Sequence, residues 1–542
     1  MKFNMKKNIS KLLTVCLAVT ALTGCGGSSD SGGSSSSSNN GPVESVSFPL
    51  DEPLEYTFHY HARDKYVFDP TWPVYQEMAE LTNITFVNTA SPVATNSTEQ
   101  IQLQAIDRFP SDLYGANNAG PYFMQYGPYD AFYALNNYWE VLPNFRAYLD
   151  DNPDVEASIT AEDGNIYHIP YIQDGGVART YHIRTDWLDN LGLDVPETVE
   201  DLEKVLIAFR DDDPNGNGEN DEIPYFNDKW NEMVRLVNLW DARCYANDTY
   251  AERVIPDANG QVYHAWMTDE FKEAIKNVSR WYDEGLIDIE IFTKGSSSRK
   301  EYIPGDIGGM THEWVASTSA YNDIVTTIDG FALETMAPPI TANGNQWEEH
   351  QRLKVKPDGW AISTNCDNPA PLFAFMDYFY SEEGRILSNF GVEGEQWNYV
   401  NGIPTFTDEV LNGDKAVNAY LEEDIGAQLK HGYWMDYEYE RQWTNEIGQA
   451  GVDMYTAGGF SDDMTEIPSL AYTEDERTVY DKLLTPINDY QDEMIQKWII
   501  EDYTKIDEQW DGYISQLNNL DVNSLLANYQ QAYDRYISIA GK

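Results

Sequence analysis

The stretch Leu54-Glu55-Tyr56-Thr57-Phe58-His59-Tyr60 alternates side-chain character over seven residues, as a half-buried β-strand does. A helical segment, Val74 to Leu81, follows it, and Ile84 to Asn88 reads as a second strand. Strand, helix and strand at this spacing predict a βαβ unit, and with it a parallel or mixed sheet covered by helices. A helix is expected next around Thr98–Asp107, then a short strand over Phe109–Tyr114 that runs into the loop Gly115–Tyr122. Ligands of α/β sheets gather at loops leaving the strand C-termini, so Asn117, Asn118 and Tyr122 become candidate ligand contacts.

The same alternation continues downstream. Asp163-Gly164-Asn165 makes a turn before a strand over Ile166–Tyr171, and Tyr181–Arg184 is another strand. Helices are expected over Asp186–Leu191 and Val199–Arg210, the second with Thr198 at its N-cap and Asp201 three residues on. Further helices fit Asp269–Glu284, Pro369–Tyr380, Asp481–Glu501 and Ser524–Ser538. No internal repeat and no long structureless linker interrupts them. The pattern suits a chain that passes more than once between two α/β lobes.

The N-terminus sets the compartment. Lys2, Lys6, Lys7 and Lys11 precede an apolar run, Leu12–Leu22, that is too short to span a bilayer. The run ends in Leu22-Thr23-Gly24-Cys25, which resembles the bacterial lipobox, with Cys25 as the lipidated residue. Residues 1–24 are therefore expected to be a lipoprotein signal peptide. Residues 25–45 would be the lipidated cysteine and a Gly/Ser-rich tether, a composition that cannot bury apolar surface. Acyl chains on one residue anchor durably, at about 0.8 kcal/mol per buried methylene. The expected location is the cell envelope, anchored to a membrane and facing away from the cytoplasm.

The full chain carries 90 acidic against 35 basic residues, a net charge of −55. Such a chain repels nucleic acid, which excludes that class of partner. It also disfavours long-range steering of polyanions, while leaving room for a local basic pocket. Two body cysteines, Cys244 and Cys366, read as separate small core residues rather than a disulfide.

Four stretches carry a family resemblance. They are Asp163–Tyr171 followed by Ile183–Leu193 and Pro196-Glu197-Thr198; Asp213–Pro224; Gly359–Ser363 with Tyr380–Gly384 and Asn389–Gly394; and Tyr529–Tyr536. Together the chain resembles the large extracellular solute-binding lipoproteins of carbohydrate ABC importers. The resemblance implies a periplasmic-binding-protein-like α/β fold: two α/β lobes joined by crossover hinge strands, with a ligand cleft between them. By analogy lobe 1 comprises 46–175 and 352–390, and lobe 2 comprises 176–351 and 391–542. It further implies a monomer that closes on a carbohydrate, delivers it to ABC permease subunits, and is not an enzyme.

The sharpest chemical signal is Asp211-Asp212-Asp213-Pro214-Asn215-Gly216-Asn217-Gly218-Glu219-Asn220-Asp221-Glu222. Calcium takes six to eight oxygen ligands on a tightly turning loop, which alternating Asp, Asn and Gly supply. Counted from Asp211, the run fits the EF-hand pattern with Glu222 at position twelve. Counted from Asp213, the ligands become Asp213, Asn215, Asn217, the carbonyl of Glu219, Asp221 and Glu222, the arrangement of the resembled family. Pro224 would disturb an exiting EF-hand helix and favours the second count. The expected role of calcium is structural.

Sugar sites combine stacked aromatics with planar hydrogen-bonding groups. The further candidates are Trp314 after a lobe-2 strand, Trp360 in the stretch re-entering lobe 1, Glu393 and Trp397 in the Gly-rich loop after Phe390, and Tyr171 and Arg184 flanking the first crossover. The chain has no G-x-S-x-G, H-E-x-x-H, P-loop or G-x-G-x-x-G motif. His59 and His61 share a strand face as zinc ligands would, yet no third ligand is evident, and a polar strand end is the expected reading. A glycan-degrading enzyme or a surface polysaccharide-binding lipoprotein are the alternatives.

Overall fold

A computed structural model describes residues 45–541 apart from 63–65, 248–249, 296, 430–431 and 462–466. The signal peptide, Cys25 and the tether to residue 44 lie outside the described residues. Fourteen strands are described: β1 Leu54–His61, β2 Ile84–Asn88, β3 Leu113–Ala116, β4 Ile169–Gln173, β5 Arg179–Arg184, β6 Ile223–Tyr225, β7 Val254–Pro256, β8 Val262–His264, β9 Gly308–Trp314, β10 Leu333–Met336, β11 Val355–Ile362, β12 Trp397–Val400, β13 Ile403–Phe406 and β14 Trp434–Met435. Two sheets dominate, one of order β14-β4-β11-β3-β1-β2 and one of order β10-β5-β9-β6.

The βαβ unit read from the first strands is present. β1 pairs in parallel with both β2 and β3, with Leu54 opposite Ile84 and Phe58 opposite Leu113. The intervening helix, Pro73–Thr82, starts on a proline and stops at Asn83 in the left-handed conformation, and buries Val74, Tyr75 and Met78. β11 runs antiparallel between β3 and β4, so the first sheet is mixed.

Each large sheet has its own apolar core. The first gathers residues from Tyr56 to Ile172 and from Val355 to Tyr439; the second gathers residues from Tyr181 to Met336 and from Ile467 to Tyr533. Cys366 belongs to the first and Cys244 to the second, both buried and free. This division corrects the expected assignment of 391–542 to lobe 2. Residues 391 to about 443 join the first core, because β14 adds in parallel to the edge of β4 and Trp397, Phe406 and Tyr433 pack beneath it. The chain crosses to the second sheet again only after the helix Tyr437–Trp443. The following helix, Glu446–Gly458, packs there through Tyr455, which accepts from the Tyr181 N–H and donates to the Met336 carbonyl.

Three crossings thus join the sheets: 174–178, 337–354 and the segment after Trp443. The first two are hydrogen-bonded to each other, Gln173 N to Lys354 O at 2.9 Å and Arg352 N to Gly176 O at 2.8 Å, with a bridge between Val177 and Gln351. Gly175 takes a left-handed φ of 88°, and a Cβ there would press on the Tyr437 ring at 3.1 Å. The helix over the second core begins earlier than expected, at Glu474, where Thr473 and Glu476 form a full capping box.

Candidate binding cleft

β3 ends at Ala116, and the chain turns there through Asn117 and Asn118. Asn118 adopts φ 57°, a left-handed conformation asparagine tolerates, and its N–H donates to Asp358 Oδ1 at 2.7 Å. The helix Gly120–Tyr126 can start against β11 only because residue 120 is a glycine: a Cβ would lie 2.9 Å from the Pro357 carbonyl oxygen. β11 itself is irregular between Val355 and Gly359, and that bulge presents Lys356, Pro357 and Asp358 to the cleft.

Two adjoining cavities result, sharing Asn118 and Pro357 on their walls. One, of about 560 Å³, is lined by Asn117, Tyr171, Gln173, Arg352, Lys356, Glu422, Tyr433, Glu440 and Trp443 from the first sheet's side, and by Ala178 and Trp314–Ser317 from the second. The other, of about 660 Å³, has Gln102, Tyr122 and Tyr126 on one side and Glu252, Tyr472, Arg477, Tyr480 and Tyr529 on the other. Both are therefore bounded by residues of both cores, and their adjacency suits a ligand longer than one ring.

Aromatic faces and fixed polar groups furnish these walls. Tyr171 stacks on Tyr433, with ring centroids 4.8 Å apart and planes at 10°. Trp314 is held from behind by the Arg179 guanidinium, 4.9 Å from its ring centroid, and edge-on by His350 at 5.7 Å. Arg179 is in turn fixed by Glu232 at 2.7 Å. Arg352 makes a bidentate pair with Glu440, at 2.8 and 2.5 Å, with both side chains at most one-tenth exposed.

The candidates named from sequence separate accordingly. Asn117, Asn118, Tyr122, Tyr171 and Trp314 reach the cavities. Trp360 does not: it is fully buried in the first core, among Phe58, Phe375 and Phe379, because its position on β11 points away from the cleft. Trp397 and Glu393 line a different, smaller hollow with Glu77 and Tyr378, and Trp397 donates to the Gly391 carbonyl. Arg184 is buried in ion pairs with Asp186 at 2.6 Å and Asp306 at 2.7 Å, beyond the reach of the cleft. Arg352, Tyr433, Glu440, Arg477 and Tyr480 were missed, since they come from segments distant in sequence with no local motif.

His59 and His61 do not form a metal site. His61 is satisfied by Ser97 and the Ala94 carbonyl, and burial lowers the His59 pKa to about 4. Among the described residues no group of three or more His, Cys, Asp or Glu side chains is disposed to hold an ion.

The acidic loop is nevertheless built around oxygen. Gly216 and Gly218 adopt φ of 70° and 81°, and Asp213 Oδ2, Asn215 Oδ1 and Asn217 Oδ1 each accept a backbone N–H of the loop. Asp213 Oδ1 and both Glu222 carboxylate oxygens are buried without a hydrogen-bond partner. Burial first, then the carboxylates of Asp221 and Asp213, raises the Glu222 pKa. Buried oxygens left unpaired in this way fit a hard cation, with asparagine and carbonyl oxygens completing the set. Asn215 also donates to the Asp306 carbonyl, so Arg184 and Asp306 brace the loop.

Residues 93–386 match the family described as bacterial extracellular solute-binding protein. The crystal structure of alginate-binding protein AlgQ2 without calcium ion is 41 % identical, with a TM-score of 0.78, over 91 % of this chain and 100 % of that one. The fructooligosaccharide ABC transporter substrate-binding protein FusA of Streptococcus pneumoniae serotype 4 is 23 % identical over 99 % of both chains. Lipoprotein LipO of Bacillus subtilis is 25 % identical over 49 % of this chain and 54 % of its own.

Breaking the buried pair tests the architecture of the cleft. Arg352→Met strands the Glu440 carboxylate and is expected to lower unfolding free energy by about 3–5 kcal/mol in urea titrations. Adding Glu440→Leu should restore most of that loss, since the isolated charge is then gone.

Proposed function

We infer that this chain, which belongs to the bacterial extracellular solute-binding proteins, captures an oligosaccharide between its two sheets as the substrate-binding component of an ABC importer. The observation that carries this reading is the pair of adjoining cavities with Trp314 on one wall and the stacked Tyr171 and Tyr433 on the other. Sugar rings present C–H faces to such aromatics, and Asn117, Gln173, Lys356 and Asp358 supply polar groups at the ring edges. The 41 % identity to a protein named alginate-binding makes a uronic-acid chain the first ligand to try.

Capture works by population shift. The hydrogen-bonded crossings at 173–177 and 351–354 act as the hinge, and ligand favours the closed arrangement only by the extra contacts made there. A micromolar ligand supplies about −8 kcal/mol in total, part of which drives closure. The closed form is the one permease subunits recognise. Cys25 carries the lipid that tethers the body to the membrane. No helix among the described residues is long and apolar enough to cross one.

Asp213, Asn215, Asn217, the Glu219 carbonyl, Asp221 and Glu222 hold a calcium ion. Bound there, it neutralises carboxylates that otherwise repel one another, and it ties the end of the helix Val199–Asp211 to β6. Its role is structural, because none of these residues lines the cleft.

Titration calorimetry with oligomannuronates should show binding that Trp314→Ala weakens at least tenfold without lowering Tm, and X-ray scattering should show compaction on ligand addition. Binding without compaction would remove the closure mechanism. Chelation should lower Tm, and calcium restored at a hundred times its Kd should return about 2.7 kcal/mol of stability; an unchanged Tm rules out the ion. Cys25→Ala should move the protein from the membrane fraction to the soluble one, and retention at the membrane would refute the anchor.

A further inference from the structure

Among the described residues the tyrosine-lined cavity has one cationic side chain on its walls, Arg477, and its carboxylate contacts are loose. It sits in the first turns of the helix Glu474–Ile500, facing across the cleft toward Tyr122 of the first sheet's side. Tyr472 and Tyr480 flank its guanidinium, with ring centroids 5.0 and 5.3 Å from Cζ. Its Nε is buried without a partner, and among the described residues its ion pair is a loose 3.7 Å approach to Asp481, a side chain 63 % exposed. The other carboxylate on this wall, Glu252, is already bound by the Tyr480 hydroxyl, and burial raises its pKa. By contrast Arg352, at the other end, is saturated by Glu440.

A guanidinium flanked by aromatic faces, with Nε unpaired and Nη1 only loosely placed against Asp481, matches a planar carboxylate. A protein of net charge −55 also cannot hold an acidic sugar by its general field. Since screening confines charge effects to about 8 Å at physiological salt, a cation inside the cleft has to do it. We propose that Arg477 selects acidic oligosaccharides by taking the C5 carboxylate of a uronic-acid residue at the tyrosine-lined end of the cleft. Gln102 and Tyr122, already hydrogen-bonded to each other at 3.0 Å, face the same ring from the opposite side. The proposal rests on the oligosaccharide reading and adds to it the residue that reads the ligand's charge.

The test uses calorimetry on the mature protein with a mannuronate tetramer, its carboxyl-reduced counterpart, and Arg477→Gln alongside wild type. Wild type should prefer the acidic tetramer by about ten- to a hundredfold, the range of a charge-assisted hydrogen-bonded contact. Arg477→Gln should erase that preference, lowering affinity for the acidic tetramer far more than for the neutral one, and flatten the salt dependence of binding. The wild-type comparison of the two ligands needs no variant, so it decides even if Arg477→Gln folds poorly. A wild type that binds the neutral tetramer as well as the acidic one overturns the role of Arg477 and leaves oligosaccharide capture standing. An Arg477→Gln protein that keeps the acidic preference does the same. Binding of neither tetramer, nor of any neutral oligosaccharide, overturns both readings.

Discussion

Arg352 is the point at which the three passages between the sheets are tied together. Its N–H donates to Gly176 in the first crossing, its own backbone is the second, and its guanidinium grips Glu440 in the helix just before the third. The bidentate pair is nearly dry, so neither charge has water to fall back on, and each is stable only while the other is present. Tyr437 lies against the same guanidinium, 5.6 Å from its ring centroid, and also packs on Gly175. At these passages the joint between the two cores therefore rests on one buried ion pair and a few backbone hydrogen bonds, while the helix Val522–Ala540 packs on the helix Pro153–Ile159 elsewhere between them.

The cleft follows from that arrangement. Two sheets joined at one side expose the ends of β3 and β9 to each other on the other side, with Asn117, Asn118 and Trp314 just beyond them. The polar groups there are pre-set by the protein: Asn118 by Asp358, Trp314 by Arg179, Tyr171 by Tyr433. Side chains already held in place lose little freedom when a ligand arrives, and this preserves binding energy for the contact itself. The acidic loop is served in a similar way from outside the cleft, where Arg184 and Asp306 steady the segment that carries Asn215.

Local signals accounted for much of the fold. Alternation marked β1, the first helix contains the expected Val74–Leu81, and Thr198 caps its helix as expected. The Thr473-x-x-Glu476 box was equally legible and was overlooked, so the helix was expected seven residues late. The segment after Phe390 was assigned to the wrong side because β14 is only two residues long, too short for any periodic pattern.

By itself the sequence determined the α/β class, the acidic charge balance, the oxygen-rich loop and the strand-end residues Asn117 and Asn118, all of which are written in periodicity, composition or short spacing. Only the tertiary structure decided which aromatic faces the cleft and which fills the core. Trp314 and Trp360 both lie on strands, and nothing within a few residues of either distinguishes them. It alone brought Arg352 to Glu440 and set Arg477 between Tyr472 and Tyr480 across from Tyr122. The physical reason is that a side chain's partner at long range is fixed by how layers pack, and that information is spread over the whole chain rather than held near the residue.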